Sequence, residues 1–238
     1  MTTDKRAIVT GAGSGIGKAV AVALLEEGYA VALAGRRREP LEQTAAESGS
    51  AQALVVPTDV SEPESVRALF TTTRDAFGRL DLLFNNAGIN VPGVPLDELS
   101  LDEWQSVVDI NLTGVFLCTQ HAFGLMKRQT PRGGRIINNG SISAHVPRPQ
   151  SAAYTATKAG VVGWSRVLAE ELRAGGVRVG VLVPGAVDTP LWDTIPGGPD
   201  RTRMLRPEDV ARAAVLIASL PPGATLEELT LLPSGGIL

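Results

Sequence analysis

The chain has 238 residues, 44% hydrophobic and 20% charged, a composition suited to one α/β domain with a full core. Its formal net charge is −3 and its basic residues are scattered, apart from Arg36-Arg37-Arg38, so it carries no electrostatic footprint for nucleic acid. A single cysteine, Cys118, excludes an internal disulfide, and two histidines, His121 and His145, argue against a metal site.

In chain order, the opening MTTDKRAIVTG is charged and then enters a strand, with no secretory apolar region. No apolar run approaches the roughly 18 residues of a membrane span, so a cytoplasmic location is expected. Short β-branched or aliphatic runs predict strands at 6–10, 30–34, 52–57, 80–84, 134–138, 177–183 and 226–232. Helical spacing between them predicts helices at 15–28, 39–48, 63–78, 101–129, 150–176 and 207–220. Ser61 and Ser100 stand before acidic first turns, Pro63 and Pro207 suit first-turn positions, and Gly28, Gly78 and Gly175-Gly176 sit where helices should stop.

Strands alternating with helices predict a doubly wound α/β fold, a seven-stranded parallel sheet with helices on both faces. The strands are apolar nearly throughout, as strands covered on both faces must be. Such sheets bind ligands at the carboxyl ends of their strands. Those ends fall at 10–17, 35–38, 58–60, 85–90, 139–143 and 184–200, and the long segment 184–206 reads as a substrate loop.

After the first strand comes 10-TGAGSGIGKA-19. An ATP loop would need glycine at 12 and a hydroxyl at 19, and both are alanine. The common dinucleotide spacing puts its third glycine on Ile16. What fits is G-x-x-x-G-x-G through Gly11, Gly15 and Gly17, with Ser14 and Ile16 between them. Gly11 lets the chain turn, Gly15 lets backbone approach a pyrophosphate, Gly17 lets helix pack on sheet, and the helix N-terminus favours the anion. A glycine turn without a ligand is the alternative for this loop taken alone.

It is not alone. The sequence continues with 85-NNAG-88, Asn111, Ser141, 154-YTATK-158 and 184-PGAVDTP-190, each at a strand's carboxyl end or on an adjacent helix. In this order the set resembles the short-chain dehydrogenase/reductase family, over essentially the whole chain. The resemblance implies a single Rossmann domain over 1–238 and an NAD(P)-dependent oxidoreductase acting on a CH–OH group. Tyr154 and Lys158 are four apart, hence one turn apart on one helical face. An ammonium there is expected to lower the phenol's pKa toward a useful range.

By the same resemblance, Tyr154 is the proton donor to a carbonyl or the base toward an alcohol, and Lys158 also holds the nicotinamide-side ribose. Ser141, thirteen residues before Tyr154, bonds the substrate oxygen, with Ser143 its competitor. Asn111 bends its helix and helps hold a water that relays protons to Lys158. Asp59 and Val60 meet the adenine, Asn86, Ala87 and Gly88 line the adenosine ribose, and Pro184, Gly185, Val187 and Thr189 surround the nicotinamide amide.

The second strand ends in Gly35-Arg36-Arg37, where a site for NAD places a carboxylate for the ribose 2′-hydroxyl. Guanidinium groups fork onto a 2′-phosphate, so NADP(H) is favoured over NAD(H). His145, Arg148 and Trp192 are candidates to reach substrate, whereas Cys118 reads as core. Pro233-Ser234 replaces the Asp-Gly-Gly that many relatives carry, which weakens transfer of the fatty-acid-synthesis ketoreductase role. The expected reaction is hydride transfer between NADP(H) and a secondary alcohol or carbonyl, as in ketone reductases and hydroxy acid or alcohol dehydrogenases. The rivals are an NAD-dependent enzyme of the same family and a dinucleotide-binding sensor without turnover. Apolar surface on helices 101–129 and 150–176 exceeds what one sheet face needs, and the resemblance, whose members pair these helices between subunits, implies a homodimer or homotetramer.

Overall fold

Seven strands pair in parallel in the computed structural model, which describes residues 5–194 and 200–238. They are Arg6–Thr10 (β1), Ala30–Gly35 (β2), Ala53–Pro57 (β3), Leu82–Asn85 (β4), Gly134–Asn139 (β5), Val177–Pro184 (β6) and Glu228–Leu231 (β7). The sheet order is β3-β2-β1-β4-β5-β6-β7. The chain builds outward from β1 in one direction, then returns to β1's other side with β4. That reversal parts the loops after β1 and β4 and opens a crevice at their carboxyl ends.

Seven α-helices cover the two faces: Gly15–Glu26 (α1), Arg38–Ser48 (α2), Pro63–Phe77 (α3), Leu101–Val108 (α4), Gly114–Met126 (α5), Ala152–Glu171 (α6) and Pro207–Ser219 (α7). Alternation along β1 explains why both faces need cover. Ala7 and Val9 pack with Val20, Leu24, Val210 and Ile217 from α1 and α7. Ile8 points the other way, into Val66, Leu69, Met126 and Ile136. Burying each large aliphatic side chain contributes about 1.5–3 kcal/mol.

The local differences from the sequence expectation have physical causes. One helix was expected over 101–129, but a π-helical turn, Asp109–Thr113, separates α4 from α5 and carries Asn111. The apolar spacing runs straight through this turn, so periodicity does not reveal it. At α4, Ser100 accepts from the Glu103 N–H while Glu103 reaches back to the Ser100 N–H, a complete capping box. At α3 the N-cap is Glu62 rather than Ser61, whose N–H and hydroxyl both go to Asp59. Helix α6 stops at Glu171, and a 3-10 turn then runs to Gly176 at φ 76°.

Candidate active site

The glycine loop leaves β1 through Gly11, whose φ of 67° favours glycine. A Cβ at Gly17 would stand 2.2 Å from the Gly11 carbonyl oxygen, so Gly17 lets the start of α1 close onto the loop. Gly11, Ser14, Gly15 and Ile16 line a cleft of about 550 Å³. Gly17 lies beneath it and supports the loop by packing. Lys18, in the first turn of α1, pairs with Glu47 on α2 at 2.6 Å.

The opposite wall is fixed across the switch point by Thr10. Its hydroxyl accepts from the Asn86 and Ala87 N–H groups at 2.9 and 3.0 Å, and Asn86 Nδ2 donates to the Thr10 carbonyl at 3.0 Å. These bonds hold Asn86, Ala87 and Gly88 on the cleft. Deeper in, Asn85 Nδ2 donates to Asn138 at 2.9 Å and Asn138 Nδ2 donates to Ser165 at 2.8 Å, which ties β4 and β5 to α6.

A smaller cleft of about 160 Å³ adjoins the first and shares Gly11, Ser14, Ala87 and Gly88 with it. Arg36, Arg37, Asp59 and Val60 line it. Arg38 pairs with Glu42 at 3.4 Å, whereas Arg36 and Arg37 are exposed and have no ion pair among the described residues. Asp59 Oδ1 accepts from the Ser61 N–H at 3.0 Å and the Ser61 hydroxyl at 2.6 Å, so the loop after β3 is locally braced.

Tyr154, Lys158 and Ser141 line the larger cleft together. Lys158 is 5% exposed, and its ammonium donates to the main-chain carbonyl of Asn139 at 2.7 Å. Burial lowers the Lys158 pKa to about 8. The Tyr154 phenol shifts opposite to the sequence expectation. Loss of solvent raises its pKa, and the Ser141 hydroxyl offsets this only in part. The Lys158 ammonium does not offset this: Nζ lies over the ring, 5.6 Å from its centroid, and one of its N–H groups donates to Asn139. Ser141 itself accepts from the Ser143 N–H at 3.1 Å as cap of a 3-10 turn, Ile142–Ala144, which places both serines on the cleft.

Asn111 is 1% exposed and lines neither cleft. Its side chain clamps Ile89, accepting from the N–H at 2.8 Å and donating to the carbonyl at 2.9 Å. Nδ2 also lies 3.5 Å from the hydroxyl of Thr157, the neighbour of Lys158. The side chain thus positions the loop after β4 against α6.

The last wall follows β6. Pro184, Gly185, Val187 and Thr189 line the larger cleft, and Thr189 Cγ2 stands 3.0 Å from where a Cβ on Gly15 would be. The Val187 carbonyl accepts from the Trp192 indole at 2.9 Å, so Trp192 anchors this segment as well as lining the cleft. Residues 195–199 of the expected loop 184–206 lie outside the described residues. Of the other candidates, Arg148 lines the cleft, but His145 does not: its Nε2 lies 2.8 Å from Glu228 on β7. Cys118 is 1% exposed, and burial pushes its thiol up to about 12.

Thr10, Asn139 and Thr157 were not singled out from sequence. Their contributions are a hydroxyl bridge between loops, a main-chain acceptor and a helix contact, none of which residue type declares. Asn139 opens the span 139–143 at the carboxyl end of the fifth strand, and that position was the available signal.

The residues fit a dinucleotide. Two joined clefts run from an arginine pair, past a glycine loop and a helix N-terminus, to a buried lysine. Among the described residues lining the larger cleft there is no carboxylate to repel a pyrophosphate. Asn139, which lines it, also holds a buried Oδ1 with no partner among the described residues. Among the described residues no three His, Cys, Asp or Glu side chains come together as a metal site, and no helix is long and apolar enough to cross a membrane.

Comparison with known proteins agrees with this geometry. The family model described as short chain dehydrogenase matches residues 5–198. An uncharacterized oxidoreductase of Staphylococcus aureus is 38% identical over 231 residues, covering 97% of this chain and 98% of the relative. Among solved structures, a 3-ketoacyl-(acyl-carrier-protein) reductase from Brucella melitensis complexed with NADH superposes with a TM-score of 0.89 at 32% identity, covering 96% of each chain. An alcohol dehydrogenase from the archaeon Thermococcus sibiricus complexed with 5-hydroxy-NADP gives 0.87 at 33% identity, covering 97% of each chain.

Proposed function

The chain belongs to the short-chain dehydrogenase/reductase family, an NAD(P)-dependent oxidoreductase, and from that premise we propose that it interconverts a carbonyl compound and a secondary alcohol with NADP(H). The observation that carries the reading is the meeting of Tyr154, Ser141 and Lys158 with the glycine loop in one cleft. The dinucleotide, when bound, supplies the hydride.

The residues divide the remaining work. Tyr154 holds its proton at neutral pH, as phenols do, and burial raises its pKa further, which suits a proton donor to a carbonyl oxygen. Ser141 presents a hydroxyl to that same oxygen as charge develops on it. Lys158 holds the ribose and returns a proton toward Tyr154. Asn111 acts one layer out, through Ile89 and Thr157.

Around the dinucleotide, Gly11, Ser14, Gly15 and Ile16 receive the pyrophosphate, and Gly17 keeps α1 close behind them. Asp59 and Val60 take the adenine end, and Asn86, Ala87 and Gly88 the adenosine ribose. Pro184, Gly185 and Thr189 flank the nicotinamide. The Val187 carbonyl is already engaged by Trp192, so Val187 offers its N–H to the carboxamide.

Arg36 and Arg37 at the adenosine end, without an ion pair among the described residues, favour a 2′-phosphate and hence NADP(H) over NAD(H). The chain forms one Rossmann domain over 1–238 with 184–206 as its substrate loop. It assembles as a homodimer or homotetramer through α5 and α6, where Phe116 and Val167 remain 45% and 50% exposed. Initial rates across a panel of ketones, with NADPH and NADH in parallel, test both the reaction and the cofactor.

A further inference from the structure

We propose that Arg148 selects substrates that carry an anionic group, a carboxylate or a phosphate, on the same molecule as the reacting carbonyl. The proposal rests on the carbonyl-reductase reading above and names the substrate class of that site.

Once the dinucleotide's walls are assigned, the larger cleft retains a second region. It is bounded by Asn90 and Gly93, the 148–151 segment, and Leu191 and Trp192. Arg148 is the charged side chain there. Among the described residues lining the whole cleft, the only charged groups are Arg148 and Lys158, and Lys158 lies beside Tyr154 with the dinucleotide-binding set, bonded to the Asn139 carbonyl. Arg148 is half-buried, yet it has no ion pair among the described residues. A part-buried arginine with no carboxylate beside it among the described residues is an arrangement that no ion pair in the fold explains. It is a suitable one for a ligand that brings the anion with it.

The backbone beneath Arg148 is held in place. The Ser151 hydroxyl donates to the Arg148 carbonyl at 2.9 Å and meets the Thr155 hydroxyl at 2.9 Å, which links the arginine to the first turn of the helix carrying Tyr154. Between them, Gln150 adopts φ 61°, a left-handed conformation unusual for a residue other than glycine. It packs tightly on Gly93, where an added Cβ would lie 3.3 Å from Gln150 Cβ. The strain is therefore stored at the substrate side of the cleft. Pro149, Leu191 and Trp192 supply apolar wall, so the region reads one charge at one point rather than a broad polar surface.

The test pairs each of a series of 2-, 3- and 4-oxo acids with its neutral methyl ester and adds acetoacetyl-coenzyme A as the phosphate-bearing arm. Initial rates are read with NADPH on the wild type, Arg148→Lys and Arg148→Ala. The structure predicts that the acid-to-ester ratio of kcat/KM, or activity on the coenzyme A thioester relative to a neutral thioester, exceeds one in the wild type. That preference should fall about ten- to hundredfold in Arg148→Ala, carried by KM, and recover in part in Arg148→Lys. Because the readout is a ratio within one protein, loss of folded material does not imitate it. Sensitivity of the acid arm identifies a carboxylate, and of the thioester arm a phosphate. Esters and neutral thioesters reduced as well as their charged partners, with ratios unmoved by Arg148→Ala, would overturn the inference and leave the reductase reading standing. Absence of turnover on every carbonyl would overturn both.

Discussion

The buried ammonium of Lys158 donates to the main-chain carbonyl of Asn139 at 2.7 Å, joining α6 to the end of β5 at the floor of the cleft. The bond offsets part of the cost of removing a charge from water, and burial still lowers the Lys158 pKa to about 8. An unfolded lysine titrates near ~10.4. Below about pH 8 both states hold the proton and the native state bears the full cost of burying it. Between about 8 and 10 the unfolded state binds more protons, so this group's contribution to stability improves as pH rises. Thermal melts of the cofactor-free protein from pH 7 to 10 should therefore show the wild type gaining on Lys158→Met. A constant difference between the two across that range would contradict the burial argument.

Arg36 lies in the smaller cleft without an ion pair among the described residues. A charge-assisted hydrogen bond contributes about 1.5–3 kcal/mol, so Arg36→Ala should lower the NADPH-to-NADH ratio of kcat/KM roughly ten- to hundredfold. Steady-state kinetics with each cofactor measures this directly. A wild type that prefers NADH would reverse the assignment.

Asn111 satisfies both the N–H and the carbonyl of Ile89. Asn111→Ala leaves those part-buried groups without their partner, which costs about 1–3 kcal/mol in a denaturant melt. If the side chain's role is to position the loop after β4, the variant should also lose turnover while retaining substrate KM. Loss of stability with unchanged kcat would confine Asn111 to the fold.

Phe116 on α5 is 45% exposed and lies 6.0 Å from the Trp164 ring on α6, giving an aromatic patch on the outer face. A charge at its centre should weaken self-association at least about tenfold, as replacing an interface hot spot does. Sedimentation of Phe116→Glu should show a smaller species than the wild type at equal concentration. Identical masses would place the interface elsewhere or remove it.

Much of the architecture was legible because it follows from short-range rules. Apolar runs bounded by glycine and proline located all seven strands, and their alternation with helices implied the parallel sheet. Ser100 declared its helix start through Glu103. The π-helical turn at Asn111 was hidden because the apolar spacing of 101–129 does not break there. At the site, Tyr154 and Lys158 were placed on one helical face by their spacing. The direction of the Tyr154 shift was missed, because spacing does not tell whether an ammonium meets the phenol oxygen or the ring face. Nor does sequence disclose that Lys158 takes a main-chain acceptor, that Val187's carbonyl is engaged by Trp192, or that His145 turns away to Glu228. Each of those outcomes depends on contacts between segments distant in the chain or on backbone atoms common to every residue.

The central claim is that Tyr154 delivers the proton to a carbonyl oxygen in this cleft. Its most direct test is the kcat of Tyr154→Phe on a ketone that the wild type reduces, with dinucleotide binding followed in parallel by fluorescence. Binding should persist while kcat falls about 10²–10⁴-fold, the range that a positioned general acid contributes. A variant that binds the dinucleotide and turns over within about twofold of the wild type would contradict the account, since a lost general acid costs far more.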